Sequence, residues 1–413
     1  MIGARRKLIP FEKNFINTNE RIQFAIEVEK PSAVPKVVEN LRNALLGFDL
    51  HIEGDYLVHR KNAIEVNKMP SSVQSCLEAA TFVDSEVPLD YSERLCSISA
   101  NDRFIGVSVS HMIYDGGFFL TLYDKLFESS IFRTSEPLPL TTYDIFQDTF
   151  SNLPPKLENE PNTTTVLNWS HKPDPNVSPT ENCKYLAIET PADECLFLKN
   201  KFGLTEYYWT MIPLSVMAMN GKIQEFGIAS CVDLRQEMKN KEFSHTVSNN
   251  FIEINLPLKG TNPNHSIRQI GKMFREKFNE YKSTGQFYHT FNLMNGGFPS
   301  LSEPVAMCGI SNVGRFLLKP PIVDCWIQQT MRCKCVESFA PFIGFSKNKY
   351  GRNTLVTRFQ QPQSVINDED AKILLESVVY SLKEIHPDMT VQEAFDNLRK
   401  FQSKIRIMSK TTF

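Results

Sequence analysis

The stretch VSVSHMIYDGGFFL, residues 107–120, decides how this chain is read. An apolar strand runs out at Ser110, His111 follows, and Asp115 stands four residues later. Gly116 and Gly117 then lead into a segment whose Phe118, Leu122 and Leu126 recur at helical spacing. Each residue alone has an ordinary explanation. A histidine beside a strand is satisfied by a carbonyl, an aspartate caps the next helix, and paired glycines make a turn. In combination they place an imidazole at a strand end where it can face a cleft. A neutral imidazole, with a pKa of about 6.5, can take a proton from an attacking alcohol or amine and return it to a departing thiolate. Both steps fit one nitrogen without a covalent enzyme intermediate. The spacing does not provide a His-x-x-x-His pair, so no metal is expected.

Composition sets the frame around that stretch. The 413 residues exceed one ordinary core and suggest two domains. Hydrophobic residues at 41% and charged ones at 22% fit a folded globular chain. The formal charge of −2 offers nothing to a nucleic-acid backbone, so no nucleic-acid partner is expected. No run of eighteen apolar residues occurs, and the basic N-terminus MIGARRKLIPFEKN has no apolar segment behind it. Nine scattered cysteines read as free thiols. A cytoplasmic location follows, with peripheral membrane attachment left open. Thirty phenylalanines and thirteen methionines could fill two cores or also line an apolar passage.

Strand and helix patterns alternate through both halves. Arg21–Glu29 alternates as a strand, and Val34, Val38, Leu41 and Leu45 recur as a helix. Leu95–Ser99 and Phe104–Ser110 form a hairpin, followed by a helix over Gly117–Phe127. Residues 152–182, with six prolines and little periodicity, mark a boundary. Beyond it come a strand at Tyr185–Glu189 and helices over Ala192–Phe202 and Glu206–Met219, the latter with Pro213 as a kink candidate. Strands follow at Phe226–Val232 and Phe251–Leu256, then a helix over Ile267–Tyr281. Apolar segments near Val305, Leu317 and Ile322 read as strands or their ends, and a helix covers Asp370–Glu384. A last helix opens on the capping box Thr390-x-x-Glu393. The expected fold is therefore α/β, with two similar domains of mixed β-sheets covered by helices. Neither G-x-G-x-x-G nor a phosphate loop is present, which argues against dinucleotide and nucleotide-hydrolysing folds.

His111-Met-Ile-Tyr-Asp115-Gly116 resembles the His-x-x-x-Asp-Gly signature of the CoA-dependent acyltransferase superfamily. Cys231-Val-Asp-Leu-Arg235, Val247-Ser-Asn-Asn-Phe251 and Ile310-Ser-Asn-Val-Gly314 extend the likeness. These segments look closest to the alcohol acetyltransferase and polyketide-associated branches. The resemblance implies a chloramphenicol acetyltransferase-like fold with a channel between an N-terminal lobe, 1–165, and a C-terminal lobe, 166–413. It implies His111 as the general base, with Asp115 and Gly116 supporting the catalytic loop and Arg235 as the salt-bridge partner of Asp115. Ser311 and Asn312 are the candidates for oxyanion or substrate contacts. The expected reaction is transfer of an acyl group, acetyl favoured, from acyl-CoA as co-substrate to a small, apolar alcohol or amine. No tightly bound cofactor and no obligate protein partner are implied.

Two departures qualify the likeness. Ser110 stands where some relatives have a second histidine, and no late Asp-Phe-Gly-Trp-Gly segment occurs. Arg315, Lys319, Lys347 and Lys349 lie where a CoA phosphate site would be permitted, although surface solvation explains them equally well. Cys333 and Cys335 read as neighbours on one strand face. Two alternatives stand beside the lead: a carrier-protein-dependent acyltransferase or condensation-like synthase, and a catalytically inactive binding relative.

Overall fold

The structure is a computed structural model, and it describes residues 4–60, 65–127, 138–155, 183–238, 249–296, 307–330, 339–362 and 366–411. The strands of the first half are β1 (Arg5–Lys7), β2 (Arg21–Val28), β3 (Leu50–Glu53), β4 (Tyr56–His59), β5 (Val66–Lys68), β6 (Cys96–Ala100) and β7 (Phe104–Ser110). Those of the second are β8 (Cys183–Pro191), β9 (Phe226–Asp233), β10 (Phe251–Leu258), β11 (Met307–Phe316), β12 (Ile322–Thr330), β13 (Phe339–Lys349) and β14 (Arg352–Pro362). The longer helices are α1 (Pro10–Asn17), α2 (Val34–Ala44), α3 (Cys76–Ser85), α4 (Gly116–Lys125), α5 (Leu204–Asn220), α6 (Ile267–Ser283), α7 (Gln286–Asn295), α8 (Asp368–Glu384) and α9 (Val391–Thr411).

The architecture is the expected α/β arrangement of two lobes with mixed sheets. One lobe is built on a five-stranded sheet in the order β12-β2-β7-β6-β5, the other on a six-stranded sheet in the order β10-β9-β11-β13-β14-β8. A small sheet, β1-β4-β3, flanks the first. Parallel pairs β5–β6, β9–β11 and β11–β13 sit among antiparallel ones, which makes both large sheets mixed. Strand β12 comes from the second half of the sequence yet pairs with β2, Trp326 opposite Ala25. The chain thereby stitches one sheet to the other.

Burial explains the main elements. All eight residues of β2 and all seven of β7 are buried, as strands covered on both faces must be. On β10 the pattern alternates, with Ile252, Ile254, Leu256 and Leu258 in the core and the intervening residues part-open. Helix α5 is buried along most of its length and runs through Pro213 without a break in its assignment. The capping box at Thr390 forms, with Glu393 accepting from the Thr390 backbone N–H at 2.8 Å. The helix expected over Ala192–Phe202 is instead a 3₁₀ turn, Ala192–Glu194, and a single turn, Leu196–Lys199. Cys195 between them is extended, at φ −84° and ψ 109°.

Several elements were not anticipated. Helix α1 carries start signals in IPFEKNFIN: Pro10 in its first turn, and Glu12, whose carboxylate accepts from the Ile9 N–H at 3.0 Å. The β13–β14 hairpin turns through Tyr350 and Gly351, both at positive φ, 49° and 79°. Tight hairpins require that pair of conformations, but a tyrosine at the first position hides the signal. The proline-rich boundary falls outside the described residues from 156 onward, as do Val305, Cys333 and Cys335.

A buried ionic cluster joins the lobes behind β12. Lys347 on β13 is fully enclosed, and its Nζ donates to Glu189 at 2.9 Å and to the Cys325 carbonyl at 3.0 Å, and pairs with Asp324 at 2.7 Å. Lys349 pairs with the same Asp324 at 2.8 Å. Burial opposes the Lys347 charge, but Asp324 and Glu189 outweigh it and hold the ammonium above its usual pKa. Asp324→Ala should therefore lower the unfolding free energy by about 3 kcal/mol, the low end for breaking a buried pair, because Glu189 still faces Lys347. Urea denaturation measures this, and Lys36→Ala, in an exposed pair with Glu39, should leave the curve unmoved.

Candidate active site

Strand β7 ends at Ser110, and the chain turns through His111–Tyr114 before α4 begins. Asp115 is the N-cap of that helix, accepting from the Phe118 N–H at 2.9 Å. The same carboxylate does more than cap. Its Oδ1 receives Arg235 Nη1 at 2.7 Å, and its Oδ2 receives the Asn250 backbone N–H at 2.7 Å. Arg235 also donates to Asp233 at 2.9 Å. Asp115 and Arg235 are both buried, so the turn after β7 is pinned to the end of β9 and the start of β10. The two glycines allow that approach. A Cβ on Gly117 would lie 2.3 Å from Asp233 Oδ2, and one on Gly116 would lie 3.2 Å from Val313.

His111 stands at this junction but is nearly enclosed, its side chain only 6% exposed. Phe15 of α1 stacks on the imidazole at 4.7 Å, and Phe251 of β10 leans on it at 5.2 Å. The His111 N–H donates to the Glu20 carbonyl at 3.0 Å, and Asn249 Nδ2 donates to the His111 carbonyl. Burial drives the imidazole pKa down to about 4, against the pull of Asp115 and of ring hydrogen bonds to the backbone at His111 and Tyr114. Asn249 Nδ2 also lies 3.3 Å from the ring Nδ1. Glu20 Oε1 is 3.8 Å from Nε2, beyond hydrogen-bonding distance but near enough to favour an imidazolium once formed.

The sheet of the second lobe presents one face toward this ring. Phe251 and Glu253 on β10, Cys231 and Asp233 on β9, and Ser311 on β11 are all part-open, while their alternate neighbours on β10 lie in the core. Glu253 is directly opposite Cys231, and the Cys231 thiol bonds to the Ser311 side chain. This part-open sheet face and the histidine turn border the seam between the lobes, where a passage would run. Asn312, one residue on, is used elsewhere, donating from Nδ2 to Thr205 Oγ1 at 2.8 Å. The two oxyanion candidates thus make contacts on different sides of β11. A small cleft lies beside the loop, lined in part by Met112, Ile113, Thr142 and Asn249 but not by His111.

Three of the four basic residues considered for a CoA phosphate are differently employed, and Lys319 is exposed. Lys347 and Lys349 are consumed by the Asp324–Glu189 cluster, and Arg315 donates to Asn353. Sequence reading missed Phe15, Glu20 and Glu253. Phe15 carried a signal, since Phe11 and Phe15 stand four apart in a capped segment. Glu20 and Glu253 carried none.

No protein-family model matches the chain, and no curated protein matches its sequence. Solved structures share its fold. Polyketide synthase associated protein 5 from Mycobacterium tuberculosis is similar over 93% of this chain and 100% of its own, with 13% identity and a TM-score of 0.66. The condensation domain of the monacolin K polyketide synthase MokA matches 94% of this chain and 99% of its own, at 12% identity and TM-score 0.62. The first condensation domain of the CDA synthetase matches 94% and 98%, at 13% identity and TM-score 0.62.

These relatives correct the resemblance drawn from the HMIYDG stretch. They are condensation domains and a polyketide synthase associated protein, not CoA-dependent alcohol acetyltransferases. The expected acetyl transfer from acetyl-CoA, the CoA-dependent O- or N-acyltransferase activity, the free acyl-CoA co-substrate and the absence of an obligate protein partner fall with it. The physical reason is that the histidine signature describes a local turn and is silent about what would deliver an acyl group.

The enclosed ring makes a pH prediction. Its folded pKa lies below the unfolded value, so the unfolded chain binds the extra proton, and the stability linked to neutral His111 is complete above about pH 6.5 and lost as pH falls toward 4. Between pH 7 and 4, urea titrations should show wild type losing on the order of 3 kcal/mol more than His111→Gln.

Proposed function

We propose that the chain is a condensation-type enzyme that passes an acyl group from a carrier-protein thioester to an amine or hydroxyl nucleophile at His111. The observation that carries this reading is the buried His111 imidazole at the turn where the lobes meet. The Asp115–Arg235–Asn250 clamp holds it in place. The relatives that share the fold support a carrier-tethered donor over free CoA. The engagement of Lys347 and Lys349 in ion pairs points the same way.

In this mechanism the nucleophile's N–H or O–H proton moves to Nε2 as its nitrogen or oxygen attacks the thioester carbon. The carbon–sulfur bond then breaks, and the imidazolium returns the proton to the departing thiolate. Glu20 stabilises the imidazolium between the two steps, and Ser311 is the candidate oxyanion donor, since Asn312 is engaged by Thr205. Asp115, Gly116 and Arg235 position the loop. Holding both substrates in the passage removes part of the entropic barrier. No helix among the described residues is long and apolar enough to cross a membrane, and the cysteines at 76, 96, 195, 231, 308 and 325 are free. We assign the enzyme to the cytoplasm on that basis.

The test presents one acyl chain as a thioester on a carrier protein and on CoA, with mixed amine and alcohol acceptors. Product should form faster from the carrier, and His111→Ala should reduce the rate by about 10²- to 10⁴-fold. Equal use of the two donors would remove the carrier requirement, and an unchanged His111→Ala rate would remove the base.

A further inference from the structure

Glu253 is a carboxylate with no task in the mechanism above. It lies on β10, two residues past Phe251 and on the same face, so its side chain points into the passage whose far wall is the His111 turn. Cys231 stands opposite it on β9, bonded to Ser311 on β11. Glu20 and Asp115 act on Cys231 from across the passage, which places Glu253, Cys231, Ser311 and the histidine turn around one space. From the helical side, the Sδ of Met294 on α7 accepts the Glu253 backbone N–H at 3.3 Å.

The charge environment is one-sided. Among the described residues no cation or side-chain donor pairs with the Glu253 carboxyl, and the Arg235 guanidinium beyond the end of β9 is engaged by Asp115 and Asp233. Burial alone pushes its pKa up to about 7, although part of its surface stays open. A desolvated carboxylate without a counter-charge is costly. A substrate bearing an ammonium supplies the missing partner.

We propose that Glu253 is a specificity-determining residue that selects an amine over an alcohol as the nucleophile, by pairing its carboxylate with the acceptor's ammonium inside the passage. This rests on the transfer reading above and deepens it. An ammonium cannot attack until it loses a proton. Glu253 accepts the first proton, leaving a neutral amine. The amine attacks the thioester carbon while its second proton goes to His111 Nε2, the carbon–sulfur bond breaks, and the imidazolium protonates the thiolate. One hydrogen stays on the amide nitrogen, and the proton on Glu253 leaves to water through its open side. The division of labour suits the two sites, since an enclosed, neutral imidazole would be poor at receiving the first proton from a cation.

The experiment uses the full chain and two probes of equal length, hexylamine and 1-hexanol, with binding measured by calorimetry for wild type, Glu253→Gln and Glu253→Asp. Wild type should bind the amine about 10- to 100-fold tighter, the scale of one hydrogen bond to a charged group. The preference should collapse toward unity in Glu253→Gln and return in part in Glu253→Asp. Circular dichroism confirms that each variant is folded, and the aspartate variant carries the test if the glutamine one is not. A wild type without preference, or a Glu253→Gln protein that keeps it, overturns the proposal. Binding is read without turnover. An amine preference that depends on Glu253 in a protein that transfers no acyl group would therefore refute the transfer reading and leave the amine site standing. In transfer assays the amide-to-ester ratio should fall in Glu253→Gln through KM for the amine more than through kcat.

Discussion

The Asp115 carboxylate is the constraint on which this structure turns. It caps α4, receives Arg235 from the second lobe and accepts the backbone N–H of Asn250, three roles served by two oxygens in a buried place. A carboxylate there needs strong donors, and it draws them from both sides of the seam between the lobes. The position of His111 follows from this. The ring emerges from a turn whose far end is tied across the interface, with the Asn249 side chain bonded to its carbonyl. Gly117 permits the clamp because any side chain would collide with Asp233.

The same seam holds a set of groups kept out of water without being sealed in the core. His111 lies between Phe15 and Phe251 and is driven toward its neutral form, while Glu253 is driven toward protonation. Both shifts have one cause, the loss of solvation at a sheet face that lines a passage. Their effect is to bring an acid and a base into a shared space with proton affinities unlike those in water, which acyl transfer to a nitrogen nucleophile can use. On the opposite side of β12, Lys347 faces the same desolvation and stays charged because Asp324 and Glu189 compensate it. That ion cluster binds the lobes together and is not available to a phosphate.

Much of this was legible in the residues. The strand–histidine–turn–helix succession in VSVSHMIYDGGFFL set the local geometry, and the two alternating halves set the α/β class. The pairing of Asp115 with Arg235 was anticipated from a short segment 120 positions away in sequence. What would deliver an acyl group was not legible, because the signature bears only on the histidine turn. The lysines that suggested a phosphate site show the limit of counting charges, since a cation's availability depends on which carboxylates fold against it. Glu253 looked like any outward residue of an alternating strand until the other lobe covered that face.

The sequence by itself determined the periodicities, the turn after β7 and the nature of the group that can move a proton, because those depend on residues within one or two turns of one another. The tertiary structure alone decided that β12 crosses to the first sheet, that Phe15 and Phe251 close over the imidazole, and that the Glu253 carboxyl, on the face of Phe251, meets no cation among the described residues. Such properties arise from desolvation and from charges brought together across long separations in the chain. No local pattern of residues encodes how much water a folded neighbour will exclude.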